Sequence, residues 1–158
     1  MKRGEILLVE GVIRDFPAIN RDMQDRKYWL EIMSISPGSN GEPRVDGGSS
    51  SPAQERFLKA MDERYFRKLQ RIVDTFYPAY RELTPPESRV VALYYWDDME
   101  IAEMTIELDF SYRYIQRLKA AALYKLKRAC MDIISDVDEW REREHNELSK
   151  AIRLLYSA

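Results

Sequence analysis

Between Leu58 and Phe76 an apolar or aromatic side chain recurs every three or four residues: Leu58, Met61, Tyr65, Leu69, Ile72 and Phe76. That is the repeat of one helix face, sustained for about five turns. No useful length of the chain alternates apolar and polar residues with a period of two, and no internal repeat is visible, so there is nothing from which to build a sheet. The expected fold class is all-α. The simplest use of the stripe is as core, because a coiled-coil seam with a second chain would have only about three heptads of support.

The remaining segments read the same way. Ile6, Val9, Val12, Ile13 and Phe16 share one helix face. Pro17 follows, and a boundary or kink is expected there, since proline disfavours the α conformation in the residue before it. A second helix to about Ile35 would carry Ile19, Met23, Arg26, Trp29, Leu30 and Met33, giving an N-terminal helical hairpin over 1–35. Residues 36–52 are almost all Gly, Ser, Pro, Asn, Asp or Glu, the exceptions being Arg44 and Val45, and read as a flexible linker. A long amphipathic helix is expected over 53–82, ended or kinked by Pro78.

Thr84-Pro85-Pro86-Glu87 is a helix start, with a capping threonine, proline in the first turn and a glutamate placed to complete a capping box. Its helix should reach about Tyr95, before Trp96-Asp97-Asp98 breaks it. A short helix from Met99 to Leu108, a turn at Asp109-Phe110 and a long helix capped by Ser111 follow. Residues 84–130 thus have the layout of a helix-turn-helix. Residues 131–158 read as an acidic helical tail, with Ile133, Val137 and Trp140 extending the pattern and Leu148, Ile152 and Leu155 forming a last apolar face.

Composition narrows the function. The 158 residues suit a single domain, or one with a small appendage. The lone Cys130 cannot form an internal disulfide, and with no signal-peptide pattern at the start a cytoplasmic site is expected. The longest apolar runs, such as Ile6–Val9, are too short to cross a bilayer, so no membrane partner is expected. One histidine, His145, and one cysteine give no basis for a zinc site. Nucleotide-binding and hydrolase motifs are absent from the sequence, and no nucleophile has a visible base. Neither an enzyme nor a cofactor is expected.

The formal net charge of −2 conceals a strong segregation. Residues 84–110 hold one base, Arg89, against seven acids, a net of −6. Residues 111–130 hold Arg113, Arg117, Lys119, Lys125, Lys127 and Arg128 with no acid, a net of +6. Residues 131–147 return to two bases against seven acids, a net of −5. At about 100° per residue, Ser111, Ile115, Leu118, Ala122 and Leu126 form the expected buried side of the basic helix. Arg113, Arg117, Ala120, Tyr124 and Lys127 fall opposite, flanked by Gln116 and Arg128. Arginine suits guanine edges and glutamine adenine edges, and Ala120 permits close approach, so Arg113, Gln116, Arg117 and Ala120 are the expected base contacts. Ser111, Tyr112, Lys119, Tyr124 and Lys127 are the expected phosphate contacts. The partner implied is double-stranded DNA. The plainer alternative is a solvated basic face that pairs with its acidic flanks.

The stretch from Ser111 to Lys127 resembles the recognition helix of region 4 in sigma-70-type factors. It carries the capping serine, Ile115 four residues later, Leu118, the pair Ala122-Leu123 and the pair Lys125-Leu126. Leu83–Tyr95 is similar to that module's opening helix, and Glu100–Glu103 to its second. Along roughly residues 5–130 the chain resembles phage late-gene transcriptional regulators of the RinA/ArpU type, on the Phe16-Pro17 step, the Gly47–Ser50 loop, the long helix and the sigma-like module. The resemblance implies sequence-specific DNA binding and control of phage or prophage operons, as an activator of late genes. It departs at Thr105 and Ile106, β-branched where the pattern prefers better helix formers, and in the long acidic tail.

Other readings remain open. A sigma-like factor recruiting host RNA polymerase would need a promoter-melting domain, for which Arg26-Lys27-Tyr28-Trp29 is the only candidate. A phage small terminase subunit would ordinarily place its DNA-binding module first. A homodimer through the Leu58–Phe76 stripe would suit a two-fold DNA site. A helical scaffold is the plainest option.

Overall fold

The structure, a computed structural model, describes residues 1–34 and 52–157. Those residues are helical, in six α-helices, with no strand among them. Apart from Pro52, which begins a helix, the expected linker lies outside the described residues.

Helix α1 (Arg3–Ser34) is continuous through Pro17, so the hairpin expected over 1–35 is not formed. Proline lacks the N–H that would bond the carbonyl four residues back, here Ile13. That carbonyl is not left bare: the Trp96 indole Nε1–H donates to it at 2.8 Å. A donor from 83 residues along the chain replaces the missing rung, and no sequence window around Pro17 could reveal it. We expect Trp96→Phe, which keeps most of the ring but removes the N–H, to cost about 1–3 kcal/mol for the unpaired buried carbonyl. Chemical denaturation would measure it, and an unchanged midpoint would mean that α1 does not depend on the indole.

Helix α2 (Pro52–Arg81) likewise runs past Pro78, ending one turn later than the proline suggests. Tyr65, Leu69, Ile72 and Phe76 are buried, whereas Leu58 and Met61 are exposed. Most of the stripe therefore belongs to the core of this chain and cannot serve as the dimer seam that its length suggested.

Helix α3 (Pro85–Val91) starts on the expected signal. One Glu87 oxygen, Oε1, accepts the Thr84 N–H at 2.9 Å and the Thr84 hydroxyl at 2.7 Å. From Ala92 to Trp96 the helix widens into a π turn. The wider turn sends three consecutive aromatic rings inward. Tyr94 and Tyr95 meet Lys119, Tyr95 also bonds Glu10, and Trp96 meets Ile13. Asp98 then reverses the chain with φ 51°.

Helix α4 (Ile101–Leu108) ends on Asp109 in the left-handed conformation, φ 55°, a position that aspartate tolerates better than most residues. Ser111 caps α5 (Tyr112–Asp132), its Oγ accepting the Tyr114 N–H at 3.1 Å. Ile133 breaks the helix, and α6 (Ile134–Tyr156) follows.

One large core takes residues from α1, α2, α3, α5 and α6, including Ile133, Val137 and Trp140. A smaller core joins Val90, Met104, Ile115 and Leu118, where α3, α4 and α5 meet. The segments separated on sequence at 53–82, 84–130 and 131–158 are thus not independent: the first turns of the tail are core, docked by ion pairs of Asp136 with Arg71 and Glu139 with Lys68. No helix among the described residues is long and apolar enough to cross a membrane.

Candidate nucleic-acid interface

Helix α5 packs against all five other helices, and this fixes which of its sides can meet a ligand. Ile115, Leu118, Ala122, Leu123, Leu126 and Cys130 are buried. Two differences from the sequence reading arise here. Ser111 is exposed, because its task is to cap, and Leu123 is buried, because α5 faces two cores in succession and its apolar sector widens toward the large one.

The six basic side chains divide by type. All three lysines are held against the protein. Lys119 Nζ lies 3.7 Å from Glu10 and 4.0 Å from the centre of the Tyr94 ring. Lys125 Nζ lies 2.6 Å from Glu87, and Lys127 Nζ lies 3.2 Å from Glu5. Among the described residues, none of the three arginines has an acidic side chain within ion-pair distance. Arg113, Arg117 and Arg128 are exposed and follow one stripe along α5 with Ala120 and Tyr124. Gln116 is exposed beside them.

The expected base-contacting group, Arg113, Gln116, Arg117 and Ala120, is therefore brought together on one open face over the first turns of α5. Of the expected phosphate contacts, Tyr112 and Tyr124 are open to solvent at 51% and 76% exposure. Lys119 instead lies on the flank facing α1, tied to Glu10 and the Tyr94 ring, which takes it out of the open stripe. Lys127 borders the stripe but is shared with Glu5. Arg128, expected to flank this face, belongs to it: the helical angle that places Arg113 and Arg117 together also places Arg128 with them.

The lysine partners are set by their own surroundings. Burial works to raise the Glu87 carboxyl, but the bonds from Lys125 and Thr84 outweigh it and hold the group below its ordinary value. The Lys127 ammonium and the Lys2 backbone N–H likewise lower Glu5. Glu10 is buried and accepts the Tyr95 hydroxyl at 2.7 Å, and burial followed by that bond raises the Tyr95 phenol. Cys130 is simply buried, and burial pushes its thiol up to about 12.

The neighbouring α4, which packs on α5, carries exposed acids. Glu100, Glu103, Glu107 and Asp109 are exposed along and beside α4, on the approach to the start of α5. Exposed arginines attract a polyanion and exposed acids repel it, each within about one Debye length, roughly 8 Å at physiological salt. No family model, curated protein or solved structure matches this chain.

Proposed function

We propose that the protein is a sequence-specific DNA-binding transcriptional regulator, with α4 and α5 as its helix-turn-helix and α5 lying in the major groove. The observation that carries this reading is the sorting of charge on α5. Its three lysines are each paired with an acid from another helix, Lys127 at the border of the open face, while three arginines without an acidic partner among the described residues share that face with one glutamine. Arg113 and Arg117 would fork onto guanine O6 and N7, Gln116 would pair with adenine, and Ala120 would let the helix approach. Tyr112, Tyr124 and the Ser111 end of the helix would contact phosphates. The acids of α4 would restrict non-specific attraction, so that binding depends on base contacts. With the resemblance of residues 5–130 to phage late-gene regulators, the role proposed is control of late operons in a phage or prophage.

The sigma-like alternative loses ground on one observation. Arg26, part of its only candidate melting segment, is bound to Asp22 at 3.1 Å and Asp62 at 3.6 Å and lies over the Tyr65 ring.

Binding to duplex DNA across a salt series tests the proposal. Affinity should fall with salt at a slope of about −0.9 per phosphate neutralised. Glu5→Gln, which frees Lys127, should strengthen binding to every duplex a few-fold and steepen the slope by about one. Its effect on stability should be small, because the pair is partly exposed. Absence of binding at low salt would overturn the reading.

A further inference from the structure

Lys119 is the most enclosed of the basic residues on α5. Its side chain is 22% exposed and that of its partner Glu10 is 12% exposed, whereas Lys125 and Lys127 stand at 44% and 38%. The Lys119 Nζ lies 3.7 Å from Glu10 Oε2, 4.0 Å from the centre of the Tyr94 ring and 5.8 Å from that of Tyr95. The same Glu10 oxygen accepts the Tyr95 hydroxyl at 2.7 Å. Three elements thus meet at one ammonium: α1 through Glu10, the π turn through two tyrosines, and α5 itself. Along α5, Lys119 comes three residues after Gln116 and two after Arg117, both of which are on the open face.

We propose, building on the DNA-binding role, that Lys119 is a positioning residue: it fixes the rotation of α5 against α1 and the π turn, and so determines base preference without touching DNA. Apolar contacts are non-directional, whereas a buried charge that is paired and hydrogen-bonded is directional and costly to leave without its partner. With side chains about 5–6 Å from the helix axis, a rotation of about 20° displaces them by about 2 Å. Hydrogen bonds from nitrogen to oxygen hold only over about 2.7–3.2 Å, so such a rotation breaks contacts to base edges. Without the ammonium, Glu10 is a buried carboxylate lacking the cation that faces it. The shift of α5 against α1 that lets water reach this carboxylate also turns Gln116 and Arg117 away from their bases.

Titration of a duplex that the wild-type chain selects from a random pool tests this, at a temperature where each variant is folded. Lys119→Met keeps the unbranched stem and removes the charge. It should lower affinity about tenfold, as for one impaired base contact, and relax preference at the base pair read by Gln116. The salt slope should stay at the wild-type value. A uniform loss across sequences with the slope reduced by about one would instead make Lys119 a phosphate contact. A lower melting temperature with unchanged affinity and preference would make its role one of stability alone. Either result would overturn the proposal.

Glu10→Gln/Lys119→Met removes both charges and keeps an oxygen to accept the Tyr95 hydroxyl. This double variant should regain stability and bind within about threefold of the wild type at the same slope. A folded double variant whose slope falls by about one, or that binds no better than Lys119→Met, would also contradict the assignment. A wild-type chain that selects no duplex would overturn the DNA-binding role itself, and the positioning role with it.

Discussion

Joint replacement of Arg113 and Arg117 by alanine is expected to lower affinity for the protein's own DNA site by about 2–6 kcal/mol, taking about 1–3 kcal/mol for each bidentate contact. Each single replacement should relax base preference at its own position and leave the others intact. The fold should tolerate the change, because both side chains are exposed and neither has an acidic partner among the described residues. Lys127→Ala provides the contrast. From the sequence alone it should weaken all DNA sequences about equally. With the side chain shared with Glu5 at 3.2 Å, the loss should be smaller than that of either arginine, because the wild-type lysine is already partly neutralised. Titration of labelled duplexes carrying single base changes separates these effects. A uniform loss across sequences for Arg113→Ala and Arg117→Ala would place the arginines on phosphates rather than bases.

The second large effect is on stability. Phe76 is completely buried, and its ring centre lies 4.2 Å from that of Phe16 and 6.2 Å from that of Tyr80. It joins α2 to α1 beside the Pro17 step. Phe76→Ala should cost about 3–5 kcal/mol, combining lost burial with an unfilled cavity. At roughly 2–4 °C per kcal/mol for a chain of this size, the melting temperature should fall by about 6–20 °C. A typical folding free energy is only about 5–15 kcal/mol, so this one ring is a large share of the total. Calorimetry would check it. A fall of less than about 1 kcal/mol would mean that the α1–α2 seam repacks around the gap.

What could be read in the sequence depended on whether the cause was local. The Thr84 start, the Ser111 cap and the turn at Asp109 are each decided within a few residues, and the structure has them where the sequence puts them, as it has the buried part of the α2 stripe from Tyr65 to Phe76. Helix α1 continues through Pro17 where the sequence places a boundary or a kink, because the remedy for Pro17 is distant. Trp96 supplies the missing donor, and nothing near Pro17 announces it. The limits of the tail misled for a related reason. A count of charges from 131 to 147 gives −5, but Asp136 and Glu139 are absorbed by Arg71 and Lys68, and the apolar residues among them close the core.

The candidate site was legible in part. Helical angle alone gathers Arg113, Gln116, Arg117 and Ala120. It cannot say which cations are already engaged, because Glu5, Glu10 and Glu87 come from distant parts of the chain. The +6 of α5 is therefore not a uniform attraction. Half of it fastens the helix to α1 and α3, and the other half, all arginine, faces outward.

The most direct test of that division is selection from a random duplex pool, with recovered sequences compared between the wild-type chain and Arg113→Ala/Arg117→Ala. The wild-type protein should enrich a defined sequence and protect it in footprinting, and the double variant, folded to the same extent, should lose that enrichment. Failure of the wild-type chain to enrich any sequence, or recovery of the same sequence by the double variant, would contradict the assignment of α5 as the DNA-reading helix.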